Sequence, residues 1–142
     1  MSSRVEQIMV ALVAKLTAPT MTSVPVAQVY RDIDSALASG FPAIVIEEGN
    51  EAAPGIDVVS KAARTLEVRM HVLIKGSAPY SLADAPMIEL YDRIFADRTL
   101  GGLVQNIIEG DTTRDRAMLE KPVAIVTKNL TMQYRTAETS LL

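Results

Sequence analysis

Between Leu66 and Ile74 the chain alternates. Leu66, Val68, Met70, Val72 and Ile74 occupy one register; Glu67, Arg69, His71 and Leu73 occupy the other, and Lys75 follows in that second set. Successive side chains of a strand point to opposite faces, so the pattern predicts a strand with one buried face and one mostly wetted face. The buried face needs an apolar cover, and two segments have the spacing to supply one.

The first begins at Ser3-Arg-Val-Glu6, which reads as a capping box. Val5, Ile8, Met9, Leu12, Val13 and Leu16 then share one helical stripe, and Pro19 ends the run by disfavouring helical backbone before it. The second carries Met87, Leu90, Tyr91 and Ile94 on its stripe, with Ile88 and Phe95 at the borders. Ser81 or Asp84 is the expected cap, Pro86 suits the first turn, and Asp97 to Gly102 is the exit and corner.

Further strands are expected at Val24 to Arg31, where Pro25 dictates an edge or a strand start, and at Pro42 to Glu47, a continuous apolar run. Leu103 to Glu109 is another. Pro122 to Arg135 is the last, with Val126, Leu130, Met132 and Tyr134 opposite Thr127, Asn129, Thr131, Gln133 and Arg135. Asp32 to Gly40 predicts one or two helical turns closed by glycine. Residues 49–63 lose all pattern and are expected to form a mobile surface loop; 110–116 read as a polar hairpin loop. The tail 136–142 is expected to fray or to dock on a neighbour. The whole predicts one α+β domain over 1–142, with two main helices packed on one face of a largely antiparallel, mixed sheet of four to five strands.

Composition then narrows the chemistry. There is no cysteine and only one histidine, so thiolate sites and multi-histidine metal cages are excluded. Aromatics total 4% and tryptophan is absent, which leaves little for a stacking surface. A net charge of −3 has the wrong sign for binding driven by nucleic-acid phosphates. No apolar run approaches the ~20 residues of a membrane span, and Met1 to Gln7 lacks the features of a signal peptide.

His71 is the obvious candidate base, but the spacing supplies it with no orienting partner, and it reads as a solvated or interface side chain. Glu47 and Glu48 are strand neighbours on opposite faces. Asp32 and Asp34 fit the start of a helix as well as any site. Asp111-Thr-Thr-Arg-Asp115 lacks the calcium-loop pattern, and no lysine or helix start follows Gly101-Gly102 as a phosphate loop requires. No catalytic residue, cofactor site or metal site is assigned.

Several segments in order are familiar: Arg4-Val-Glu-Gln-Ile8, Val29-Tyr-Arg31, Phe41-Pro-Ala-Ile-Val45, Asp92-Arg-Ile-Phe-Ala-Asp-Arg-Thr-Leu-Gly-Gly102 and Tyr134-Arg-Thr136. Together they resemble the tail terminator (minor tail protein U-like) proteins of long-tailed bacteriophages and prophages. The resemblance implies an α+β structural protein of the virion, not an enzyme, made in the bacterial host cytoplasm. It implies a homo-oligomeric ring, usually of six, that caps the head-proximal end of the tail tube, ends its polymerisation and joins tail to head. The implied partners are further copies of itself, the tail tube protein and a head–tail connector, with DNA only as cargo passing through the lumen. Asp97, Arg98, Thr99, Gly101 and Gly102, with Arg135 and Thr136, are the residues expected on the assembly surface. The same sequence also fits another head–tail joining, stopper or tail-tube component, or a small oligomeric ligand-binding domain or enzyme using His71.

Overall fold

The computed structural model describes residues 2–32, 34, 36, 40–52, 54–58, 61–118, 121–137 and 139–142, with backbone alone at 56–58. Helix α1 spans Arg4–Thr17 and buries Ile8, Met9, Leu12 and Leu16 completely. Each such side chain stabilises the fold by about 1.5–3 kcal/mol relative to leaving it exposed. Ser3 caps the helix, its Oγ accepting from the Glu6 amide at 3.2 Å. The return half of the capping box goes elsewhere: Glu6 accepts from Arg31 at 2.7 Å, and Arg31 also donates to Glu48 at 3.1 Å. Past the helix, Ala18 is extended, as its position before Pro19 demands.

A 3-10 turn at Val26–Gln28 leads into β1 (Val29–Tyr30), so only the end of the expected Val24–Arg31 strand forms. Of the helical turns expected at 32–40, residues 33, 35 and 37–39 lie outside the described residues; Asp34 and Ala36 are helical, and Ala36 is buried.

Strand β2 (Ala43–Glu51) outruns the predicted Pro42–Glu47 segment, and β3 (Gly55–Val58) follows. Strand β4 (Lys61–Lys75) begins five residues before its alternation becomes visible in the sequence. Of the stretch read as a loop at 49–63, residues 53, 59 and 60 lie outside the described residues and the others are largely strand, with β3 pairing Lys61 to Ala63 where β2 no longer reaches. Backbone ladders supply this order, and they leave no signature in side-chain pattern.

Two helices follow, α2 (Pro79–Leu82) and α3 (Asp84–Phe95). Neither Ser81 nor Asp84 acts as a side-chain cap: Pro79 opens the first turn, and Ala83 joins the two helices. Asp84 and Pro86 occupy the first turn of α3. Leu90 and Ile94 are buried, whereas Tyr91 and Ile88 are exposed. Glu89 ties α3 to the chain after α1. Its two carboxylate oxygens accept from the amides and hydroxyls of Thr22 and Ser23 at 2.6–3.0 Å. Desolvation works against the charge, but these four bonds prevail and hold the Glu89 carboxyl at about 2.

Strand β5 (Asn106–Met118) passes straight through the expected polar loop at 110–116, bending at a bulge where Gly110 and Asp111 face Asn129. Gly110 suits the bulge because a Cβ there would lie 3.0 Å from the Asn129 carbonyl oxygen. The chain turns after Met118 into β6 (Pro122–Ala137). The strand order is β1-β2-β4-β6-β5, with β3 extending the β2 side of β4; only β1–β2 is parallel. β4 and β6 pair unbroken from Lys61–Ala137 to Lys75–Val123.

The result is an α+β fold whose main core lies between α1, α3 and one sheet face, and that face carries Leu66, Val68, Met70, Val72, Leu130, Met132 and Tyr134. A second, small cluster of Ala36, Ala43, Val45 and Leu73 covers part of the other face. Among the described residues no helix is long and apolar enough to cross a membrane.

Candidate functional site

The Asp97–Gly102 corner is organised by its own aspartate. Asp97 accepts from the Thr99 hydroxyl at 2.7 Å, the Thr99 amide at 2.9 Å and the Gly101 amide at 2.8 Å. These bonds, the Thr99 hydroxyl first among them, hold its carboxyl at about 2. Leu100, Gly101 and Gly102 all have positive φ, at 48°, 70° and 92°. Leu100 tolerates this because its side chain is buried, while the two glycines suffer no Cβ penalty and lie exposed. Arg98 stacks its guanidinium 4.7 Å from the Phe95 ring centre and donates to the Ile107 carbonyl at 2.8 Å. The polar atoms of Asp97, Arg98 and Thr99 thus shape the corner, and Arg98 and Thr99 are exposed on it together with Gly101 and Gly102.

The other two residues expected on the surface lie at the end of β6. Arg135 is exposed and faces the Gln105 side-chain oxygen at 3.1 Å from Nη1, in the amide orientation that satisfies both groups. Thr136 is buried, accepting from Arg64 Nε at 2.7 Å. Gln105 stands three residues after Gly102, so the chain leads from one predicted group to the other. Nearby, Arg4 donates to the Leu103 carbonyl at 3.3 Å and its amide to the Leu141 carbonyl at 2.7 Å. Corner, helix start and chain end form one region. Under them Tyr134 donates to Glu51, and burial, then this bond, pushes its hydroxyl pKa up.

His71 is not solvated. Its relative exposure is 8%, beside the second apolar cluster, to which Leu73 in the same register belongs. Its Nδ1 lies 2.7 Å from Thr127 Oγ1, directly across β4–β6, and Nε2 meets a Glu47 oxygen on β2. An ionised carboxylate only accepts, so Nε2 is the donor to Glu47, while the Thr127 hydroxyl can serve Nδ1 as donor or as acceptor. The order hydroxyl, imidazole, carboxylate is that of a nucleophile, base and orienting acid. Thr127 is itself only 6% exposed, however, and the arrangement acts as a cross-link over three strands. Spacing within one strand could not reveal it, because both partners come from other strands.

Lys128 was also beyond the sequence reading, although it sits in the apolar register between Val126 and Leu130. It is 6% exposed on the helix-covered face, donating to Glu109 and, at 3.1 Å, to Thr112. The Lys128 bond, followed by one from Tyr91 at 3.1 Å, holds the Glu109 carboxyl below its usual range. Lys128 forms part of the wall of a groove of about 270 Å³ between α3 and the β5–β6 hairpin, alongside Tyr80, Ile88, Tyr91, Arg114 and Val126. Among the described residues no group of three or more His, Asp or Glu side chains could hold a metal ion. No protein-family profile matches the chain, and no curated protein matches it significantly.

Proposed function

We propose that this chain is a tail-terminator subunit, closing with about five further copies into a ring on the head-proximal end of a phage tail tube. The ring ends tube growth by shape and offers its far side to a head–tail connector. The ordered segments from Arg4 to Thr136 support this reading, as does an α+β fold with both main helices on one sheet face.

The observation that carries it furthest is the outer edge of β5. Thirteen residues long and almost wholly exposed, β5 pairs only with β6 among the described residues, and it holds neither proline nor lysine. An unpaired edge of this kind invites another chain, while the bulge at Gly110 and the charges of Asp111, Arg114, Asp115 and Arg116 restrict it to a matching partner. A chain built to stay single has little use for such an edge.

The test is tube assembly with and without the protein, with lengths measured by electron microscopy. The reading expects shortened tubes carrying a ring at one end and no protein along the wall. Unchanged lengths with bare ends reject it, and incorporation along the tube assigns the chain to the tube itself.

A further inference from the structure

We propose that the outer edge of β5 pairs, antiparallel, with the outer edge of β2 in a second copy of this chain, Arg116 standing opposite Glu48 and Arg114 opposite Glu51. The proposal deepens the reading of the β5 edge given above, on which it rests for closure into a ring, and names the partner of that edge.

The sheet is open on both sides. β5 forms one border. On the other, β1 meets β2 only at Ile44 and Val45, and beyond them no described residue pairs with the outer side of β2. Glu48, Asn50 and Glu51 are exposed there. Three antiparallel ladders separate the two borders, so β2 and β5 run in opposite directions. A second copy placed to continue the sheet therefore brings its β2 antiparallel to β5, with both helix layers on the same side.

Neither edge suits itself. Antiparallel pairing of β5 with β5 of a second copy, centred on residue 113, sets Asp111 opposite Asp115. Centred on 114, 115 or 116, it sets Arg114, Asp115 or Arg116 opposite its own equivalent. Like charges directly opposite destabilise a ladder. The β2 edge holds Glu47, Glu48 and Glu51 and no base over 47–51, so it repels a copy of itself too.

Each edge fits the other. Arg114 and Arg116 lie opposite Val126 and Ala124 of β6, and Glu48 and Glu51 opposite Val68 and Leu66 of β4. Val126, Val68 and Leu66 belong to the main core, so all four charged side chains stand on the helix side. With Arg116 opposite Glu48, Ala117 meets Glu47 and Asp115 meets Gly49; the bulge between Glu48 and Glu51 then brings Glu51 to Arg114. No like charges face each other in this register. The guanidinium groups of Arg114 and Arg116 have no partner among the described residues. Glu48 accepts from Arg31, and Glu51 from Tyr134, through Oε1 alone, which leaves Oε2 of each to accept. A contact between two different surfaces of identical chains is heterologous, and it closes into a ring when its rotation permits.

The chain has no cysteine, so introduced thiols report this contact alone. Within one chain Glu48 and Arg116 are three strand spacings apart, about 14 Å, beyond the reach of a disulfide. Full-length Glu48→Cys and Arg116→Cys variants, each checked by urea denaturation against the parent, are oxidised with copper–phenanthroline. Their mixture should give disulfide-linked dimers, and either variant alone almost none. In the chain without cysteines, Arg114→Glu with Arg116→Glu should raise the concentration at half-assembly about ten-fold, read by light scattering. A mixture no more cross-linked than the separate variants, or assembly indifferent to the charge reversal, overturns the contact. The tube-capping experiment judges the terminator reading separately: cross-linking without capping rejects that reading alone, and capping without cross-linking rejects this contact alone.

Discussion

Thr127 Oγ1 sits 2.7 Å from His71 Nδ1, directly opposite it across the β4–β6 ladder, while Glu47 holds the other ring nitrogen from β2. The polar chain thus spans the middle of the sheet at a depth where an unpaired group is costly. Replacing His71 by alanine removes both bonds and leaves a cavity beside the Leu73 cluster; a loss of about 2–3 kcal/mol in urea unfolding is expected. Thr127→Val alone should cost about 1 kcal/mol, and the double-mutant cycle should show coupling of about 0.5–1.5 kcal/mol. Additive effects would show that the two side chains do not interact.

Glu89 makes the fold acid-sensitive. Its carboxyl titrates at about 2 in the folded chain against an ordinary value of 4.5. A depressed carboxylate contributes fully above its unfolded value and loses that contribution as pH falls through the folded one. Glu89→Gln should therefore lower stability by about 2 kcal/mol at pH 7, after allowance for solvent screening. The gap between variant and parent should narrow below pH 4.5 and close near pH 2. A gap independent of pH would contradict the assignment.

Lys128 and Glu109 form an asymmetric pair, the ammonium buried and the carboxylate side chain 43% exposed. Removing the cation leaves an acid that water can solvate, whereas removing the acid strands a buried charge. Lys128→Met should leave stability nearly unchanged, and Glu109→Ala should be clearly the more destabilising of the two. Thermal unfolding of the two variants decides the order.

At Gly101, φ is +70°, and a Cβ there would meet nothing within 4 Å. Gly101→Ala should consequently cost only the left-handed backbone penalty, about 1–2 kcal/mol. Gly55→Ala, with open space and no positive φ, should change stability by less than about 0.5 kcal/mol. Equal effects at the two positions would argue against the corner conformation.

What the sequence made legible was the side-chain period. The α1 stripe, the β4 alternation and the face of β6 carrying Leu130, Met132 and Tyr134 all appear where their spacing places them. Order held by backbone pairing was not legible. Residues 49–51, 55–58 and 61–63 are strand because β2 and β3 share one edge of β4, and nothing in Gly49-Asn-Glu51 announces it. β5 likewise runs through Asp111-Thr-Thr-Arg-Asp115, since an edge strand with little to bury keeps a loop's composition. The burial of His71 and of Lys128 was not legible for a related reason. His71 looked wet because its partners lie on neighbouring strands, and only a charge in the apolar register marked Lys128.

The molar mass of the purified chain, followed by light scattering over a wide concentration range, tests the central claim most directly. The account predicts one closed species near six times the subunit mass of 15.4 kDa that persists on dilution. A chain that remains monomeric throughout, or stops at a stable dimer, would contradict it.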